Sequence, residues 1–381
     1  MGRHFASNSL TLSVVVLFLL GALIKTLQAK YTSPSLLQEA ICLEVASGSS
    51  ISGIAEKLQT QGAVSSKTLF QLGIDYSGRR SELKAGSYLV PAGSSMSQIA
   101  DQITTSGRNT CGTEVIFRVG VTRNTVLVRE LDPTTNRYVE VSRVDLNENF
   151  ASDFYLSALK DDDSMIRLAI SEGTTSWSIV NALKGLNVLD GPIIDMPQEG
   201  TLAPDSYEIR IGDLRADVLT RMAKAQDRRL KEVWGMRSDK TPVDNIQDLL
   251  VLASIIEKET AVASERSQVA SVFANRLQLG MPLQTDPSVI YGITLGKGSL
   301  GRGLRKSELR KDTPWNTYVN RGLPKSAIAS PGLASLRAAI NPANTNYIFF
   351  VADGTGGHAF STTLKEHNRN VAAWRKIEKN K

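Results

Sequence analysis

The sequence predicts an α+β chain with one N-terminal transmembrane helix. Three observations predict it: an uncharged apolar run close to the N-terminus, a fourfold recurrence of an alternating stretch that changes period at a glycine, and a long helical segment beyond residue 240. With 381 residues and 41% hydrophobic content, the chain can bury more than one core.

The apolar run is "LTLSVVVLFLLGALI", residues 10–24, preceded by Arg3 and followed by Lys25. It is short for a full span, and flanking Thr, Ser and a snorkelling Lys extend it. A cleaved signal peptide competes, but "TLQAK" offers a poor small-x-small cleavage site. The expectation is a retained anchor over residues 1–30, with the body outside the cytoplasm. Either reading exports the body, and with it Cys42 and Cys111. Two cysteines give no framework pattern, so a disulfide and two free thiols stand as alternatives.

Four stretches align on a glycine: "LEVASGSSISGIAEKL" from Leu43, "YLVPAGSSMSQIADQI" from Tyr88, "LAISEGTTSWSIVNAL" from Leu168 and "YEIRIGDLRADVLTRM" from Tyr207. In each, the apolar period passes from 2 to about 3.6 at the glycine, which reads as strand, tight turn, helix. Ser49, Ser94, Thr174 and Asp213 follow the glycines and are the expected helix caps. "LKAGSYLV" at 83–90 also echoes "LAPDSYEI" at 202–209, so one small α+β module is expected twice. The first copy, about residues 40–108, resembles a LysM domain, in which two short strands flank two helices and an edge binds N-acetylglucosamine glycans. A duplicated scaffold without a ligand is the alternative, since the glycines and caps follow from turn geometry alone.

Between the copies, "VIFRVGV", "TVLVREL" and "RYVEVSR" read as strands, the last two joined by the turn "DPTTN" at 132–136. This is expected to be an inserted hairpin region over 112–165, with the acidic "KDDDS" at 160–164 as an exposed linker.

Pro242 and Asp244 make a plausible start for a helix over Asn245 to about Ala263, with Ile246, Leu249, Leu250, Ala253 and Ile256 as its buried stripe. Its end, "SIIEKETAVASER", carries Glu257, Glu259 and Glu265. Glu257 and Glu259 fall on opposite margins of the stripe, about 160° apart. They therefore cannot serve one cleft as a pair, and periodicity does not choose between them. Glu265 reads as the cap of the next helix, which stops at Gly280.

Three long segments then carry a family resemblance. "LASIIEKETAVASERSQVASVFANRLQLGMPLQTDPSVIYGI" at 252–293, "NTYVNRGLPKSAIASPGLASLRAAINPA" at 316–343 and "YIFFVADGTGGHAFSTTLKEHN" at 347–368 resemble the bacterial endolytic murein transglycosylases, the YceG-like family. The resemblance implies an inner-membrane enzyme that cuts nascent peptidoglycan strands internally and terminates their elongation. Its catalytic acid is the second glutamate of the E-K-E triplet, here Glu259. That one carboxyl serves as acid and then as base toward the sugar's own C6 hydroxyl, so no second carboxylate is required. By the same resemblance Gln284, Asp286, Tyr291, Asn316 and Tyr318 line the substrate cleft. Leu202 and Ala203 stand where the family often carries aromatic residues.

The expected domains are an anchor (1–30), a LysM-like module (31–111), the inserted region (112–165), a second strand-turn-helix module (166–240) and a mixed helix/strand catalytic domain (241–381). Expected partners are peptidoglycan strands, the membrane and peptidoglycan synthases. A net charge of +6 without a massed basic stripe argues against nucleic acid. Three histidines without H-x-x-x-H spacing argue against a metal site, and no cofactor is expected. "SELK" at 81–84 fits a serine-enzyme motif but lies in a loop. A non-catalytic glycan-binding scaffold and a hydrolase in which Asp286 activates water are the remaining rivals.

Overall fold

In the computed structural model, residues 2–46, 48–105, 110–132, 134–135, 137–146, 153–160 and 164–379 are described. The chain divides into two units, one of 1–115, 127–143 and 151–165, the other of 116–126, 144–150 and 166–381.

In the first unit, α1 (Gly2–Thr32) precedes β1 (Ile41–Val45), α2 (Ile51–Thr60), α3 (Lys67–Tyr76), β2 (Gly86–Val90) and α4 (Met96–Thr105). Among the described residues, Val14–Thr32 of α1 is long and apolar enough to cross a membrane. β1 and β2 pair antiparallel with Leu43 opposite Tyr88. Both side chains enter a core with Leu58, Phe70, Ile74, Ile99 and Ile103. Tyr31, near the end of α1, packs against that core, and its ring lies over Gly73, where any side chain would collide with it. Cys42 and Cys111 form a disulfide with a Cα–Cα distance of 5.7 Å.

β3 (Thr113–Val119), β4 (Asn124–Asp132) and β5 (Arg137–Asp145) match the three strand-like runs, and α5 (Asp153–Lys160) follows. β4 and β5 are neighbours in their sheet. In the turn between them, the Asp132 carboxylate accepts the Thr134 N–H at 2.9 Å and the Thr135 hydroxyl at 2.8 Å. Of the acidic linker, 161–163 lie outside the described residues.

In the second unit, β6 (Met165–Ile170), α6 (Ser176–Gly185), β7 (Leu189–Asp190), β8 (Ser206–Ile209), β9 (Asp213–Leu214) and α7 (Arg215–Gly235) come first. β6 pairs antiparallel with β8, placing Leu168 opposite Tyr207. All four aligned stretches fold as strand, glycine turn and helix, and Gly48, Gly93, Gly173 and Gly212 take φ of 82°, 74°, 76° and 88°. That left-handed conformation is open to glycine at little cost. The Tyr88 hydroxyl donates to the carbonyl of Lys84 at 2.9 Å and the Tyr207 hydroxyl to that of Ala203 at 2.8 Å, the same four-residue closure in both.

The caps sit one residue later than expected. Ser50 accepts from the Gly53 N–H, Ser95 from Gln98 and Thr175 from Ser178. Ser94 and Thr174 instead donate back to the carbonyls of Pro91 and Ser171, closing the turn before the helix begins. In the fourth stretch Leu214 stands at the N-cap of α7 and gives no side-chain cap. Leu202 and Ala203 are fully buried, so they face a core rather than a sugar.

The rest of this unit comprises α8 (Ile246–Glu259), α9 (Arg266–Gln278), α10 (Asp286–Thr294), α11 (Lys306–Leu309), α12 (Leu333–Ile340), β10 (Phe349–Ala352), β11 (His358–Ser361) and α13 (Leu364–Lys379). β10 and β11 form a hairpin, with Phe350 opposite Phe360. α8 is the centre of the core, packed with α12, α7, α9 and α10. The fully buried Gln226 amide of α7 donates to the carbonyls of Gly200 and Pro331.

Candidate active site

Asn245 is the N-cap of α8, and its side chain accepts the Asp248 N–H at 2.9 Å; the expected start at Pro242 and Asp244 lies just upstream. Every residue from Leu249 to Ile256 is buried, so the helix is surrounded and not merely striped. The Ser254 hydroxyl, inside this run, accepts the Ile328 N–H at 3.0 Å. Glu257, Lys258 and Glu259 are the first residues of α8 to regain partial exposure. The helix stops at Glu259, earlier than expected, because Thr260 is extended.

The two glutamates have separate partners. Glu257 Oε2 accepts the Gly332 N–H at 2.9 Å, and its charge acts on Glu172 and Lys258. The Glu259 carboxyl instead responds to Thr285, Asp286 and His358. Burial pushes the Glu259 carboxyl up to about 7, with the Asp286 charge adding to the effect; the Thr285 hydroxyl and His358 work against it. Its place at the carboxyl end of α8 disfavours a negative charge in the same sense. Glu259 thus combines partial exposure with a carboxyl that holds its proton close to neutrality.

α10 supplies the facing wall. Thr285 is the N-cap and Asp286 opens a helix with Pro287 in its first turn, where proline is tolerated. Gln284 precedes it with φ of 52° and donates its N–H to the Thr317 carbonyl at 3.0 Å. Thr317 Oγ1 accepts the Thr285 N–H at 3.0 Å, fixing the approach to α10. Tyr318 donates its hydroxyl to Asp286 Oδ1 at 2.5 Å. Burial, that bond and the charges of Asp286 and Glu259 all hold the Tyr318 proton on. Glu259, Asp286 and Tyr318 are therefore one electrostatic group.

Gln284 joins them through Arg276, whose Nη1 lies 3.3 Å from Gln284 Oε1. Arg276 is almost fully buried in α9 and donates to the carbonyls of Ile348, Pro282 and Leu283. Sequence reasoning missed it, although its place three residues after Phe273 puts it on the buried side of α9.

Two expected cleft residues sit otherwise. Asn316 is fully buried; its amide donates to the carbonyls of Glu308, Leu309 and Lys311, and its Oδ1 accepts the Tyr318 N–H at 2.9 Å. It positions Tyr318 and has no surface to offer a ligand. Tyr291 donates its hydroxyl to Glu199 Oε2 at 3.1 Å and packs edge-on against Trp315. With Lys258, Pro287, Ile290 and Thr175 it lines a separate cleft of about 420 Å³. Burial raises the Glu199 carboxyl, while the Ser176 N–H and the Tyr291 hydroxyl draw it down.

Glu265 is also not the side-chain cap expected of it. It stands at the N-cap of α9 without a capping bond, and its carboxylate reaches β11, where it pairs with His358 Nδ1 at 2.7 Å. His358 drew attention in the sequence only as a histidine without metal spacing.

The model of the YceG-like family matches residues 43–373. An endolytic murein transglycosylase of Bacillus subtilis is 31% identical over 327 residues, covering 86% of this chain and 82% of the relative. An endolytic murein transglycosylase of Streptococcus pneumoniae is 26% identical over 338 residues, covering 87% of this chain; the chain spans 58% of that relative's length. A crystal structure of a YceG-like protein from Listeria monocytogenes is 26% identical, with a TM-score of 0.47 over 87% of this chain and 99% of that one.

Proposed function

The chain belongs to the YceG-like family, and from that premise we propose that it is an endolytic peptidoglycan transglycosylase whose single acid/base is Glu259. It cleaves the β-1,4 bond between N-acetylmuramic acid and N-acetylglucosamine in nascent strands and terminates their elongation. The observation that carries the reading is the Glu259 carboxyl, held at about 7 by burial and by Asp286. A carboxyl there is protonated often enough to act as an acid and ionised easily enough to act as a base.

In the first half, Glu259 gives its proton to the glycosidic oxygen as the bond to C1 of the muramic residue breaks. In the second, the Glu259 carboxylate takes the proton of that residue's C6 hydroxyl, and the C6 oxygen bonds to C1. The proton returns to Glu259, no water is consumed, and the product ends in a 1,6-anhydro ring. Asp286 lies close to the reacting carboxyl and favours its protonated form before the first step. Tyr318, held by Asp286 and Asn316, is the polar contact offered to the sugar, with the exposed Gln284 beside it.

α1 anchors the chain in the inner membrane through Val14–Thr32, and the body lies on the extracytoplasmic side, where synthases make the strands it cuts. The disulfide between Cys42 and Cys111 supports an oxidising compartment for the first unit. The matched Tyr88 and Tyr207 closures support one module used twice, with the first copy a LysM-like glycan-binding unit.

The nearness of Asp286 to Glu259 also favours a second reading, a muramidase-type hydrolase in which Asp286 activates water. Digestion in ¹⁸O-labelled water separates the two. The transglycosylase leaves unlabelled anhydro ends; ¹⁸O at a new reducing end would select the hydrolase.

A further inference from the structure

Resting on that reading, we propose that the cleft lined by Tyr291 and Lys258 binds the acidic peptide carried on the lactyl group of the muramic residues, with the Lys258 ammonium pairing with one of its carboxylates.

The cleft belongs to the second unit. Pro287, Ile290, Tyr291 and Thr294 recur at helical spacing along one face of α10, Lys258 comes from the end of α8, and Gly296 opens the glycine-rich loop after α10. The Thr175 hydroxyl holds that loop in place, donating to the Gly296 carbonyl at 2.7 Å. Gly296 has φ of 72°, and a Cβ there would lie 3.1 Å from the Tyr291 ring and 3.2 Å from Glu199 Oε2, so glycine lets the loop lie against Tyr291. At about 420 Å³ the cleft has the size of a site for a small ligand or a short peptide segment.

Its charge points to an anion. The charged residues lining it are Lys258 and Arg302, both basic. Arg302 is already matched, with Nη1 and Nη2 lying 2.9 Å and 2.6 Å from the Glu308 carboxylate oxygens. Lys258 is not. Among the described residues its ammonium donates to the Gly173 carbonyl at 3.4 Å and makes no ion pair. The charges of Glu257 and Glu199 act on it, but both carboxylates are engaged elsewhere: Glu257 with the Gly332 N–H, Glu199 with the Ser176 and Gly200 N–H groups and the Tyr291 hydroxyl. Burial draws the Lys258 ammonium down, and a carboxylate bound beside it would favour the charged form. Val121, Ile290 and Ile328 make the rest of this wall apolar. A half-buried cation without a counter-ion, beside apolar side chains, suits a ligand that is anionic at one point and apolar along its length. A short peptide with free carboxylates has that pattern, and in the proposed substrate the muramic residues carry one.

The place fits as well. Lys258 directly precedes Glu259, with Cα atoms about 3.8 Å apart and side chains about 100° apart around α8. Pro287 follows Asp286 in the same way at the start of α10. The cleft thus adjoins the reacting carboxyl on both elements, where a substituent of the sugar being cut lies.

The test compares full-length wild type with Lys258→Met and Ser299→Glu on uncrosslinked strands whose peptides carry free carboxylates, and on the same strands with those carboxylates converted to amides. Wild type is expected to show about a tenfold lower KM on the free acids, and Lys258→Met to lose that preference. Ser299 is an exposed lining residue, so Ser299→Glu leaves the core intact; it should reduce the preference by placing a negative charge in the cleft. Binding of both strands to Glu259→Gln reads the same ratio as dissociation constants, without turnover. Equal treatment of the two strands by wild type, or a preference that survives in folded Lys258→Met, would overturn the proposal and leave Glu259 as the acid. If Lys258→Met does not fold, an unchanged preference in Ser299→Glu overturns it. Activity surviving in Glu259→Gln would instead remove the reading on which the proposal rests.

Discussion

The Tyr318 hydroxyl donates to Asp286 Oδ1 at 2.5 Å; the Asp286 charge raises the Glu259 carboxyl, and the Glu259 charge in turn helps hold the Tyr318 proton on. Tyr318→Phe removes the donor and keeps the ring, so kcat is expected to fall by about tenfold or more while the melting temperature stays close to wild type. Steady-state kinetics beside a thermal melt check it; unchanged kcat would take Tyr318 out of the site.

The pH dependence follows from Glu259. An acid with a pKa of about 7 is lost as pH rises, so kcat/KM should fall through that value. Asp286→Asn removes a neighbouring negative charge and should move this limb to lower pH.

Stability carries the same signature. Because the folded pKa of Glu259 is raised from 4.5 to about 7, its neutral form is favoured in the fold. That contribution is complete below the unfolded value and is lost as pH rises through the folded one, leaving roughly 3 kcal/mol against the folded state when the group is ionised. Glu259→Gln should therefore melt higher than wild type at pH 8.5 (about 1.5 above the folded pKa) and show little gain at acid pH. Melting curves at both ends of the range decide it.

Asn316→Ala should be a stability variant with a kinetic consequence. It removes the buried amide that holds the part-buried carbonyls of Glu308, Leu309 and Lys311 and the Tyr318 N–H together. A loss of roughly 2–4 kcal/mol is expected in chemical denaturation, with reduced kcat in the protein that remains folded.

The disulfide closes a loop of sequence separation 69. Replacing Cys42 and Cys111 by Ser is expected to cost the first unit up to about 4 kcal/mol on the chain-entropy model. Proteolysis within 31–115 under native conditions should rise accordingly, and glycan cleavage by the second unit should persist.

Much of this was legible in the sequence because it rests on local periodicity. The four glycine turns and α9 with its stop at Gly280 lie where alternating and helical patterns put them. The caps were displaced by one residue because a hydroxyl after a glycine can close the turn behind it as readily as cap the helix ahead. Tertiary burial was harder to see. α8 is buried on every side from Leu249 to Ile256, which a stripe counted on one face understates. Helical geometry separated Glu257 from Glu259, but only long-range neighbours distinguish them: Gly332, 75 residues away, bonds to one, and the charges of Asp286 and His358 bear on the other. Asn316 and Tyr318 stand two apart in one short segment, and no local pattern tells that the first is buried beneath the second. Glu265 looked like a cap because its position is one, and its side chain went elsewhere because His358 lay within reach.

Mass spectrometry of glycan ends produced by the full-length chain, wild type against Glu259→Gln, tests the central claim most directly. Wild type should give internal cleavage with 1,6-anhydromuramyl ends, and Glu259→Gln should lose at least about a hundredfold in rate. Reducing ends from wild type, or anhydro ends formed at an undiminished rate by Glu259→Gln, would contradict it.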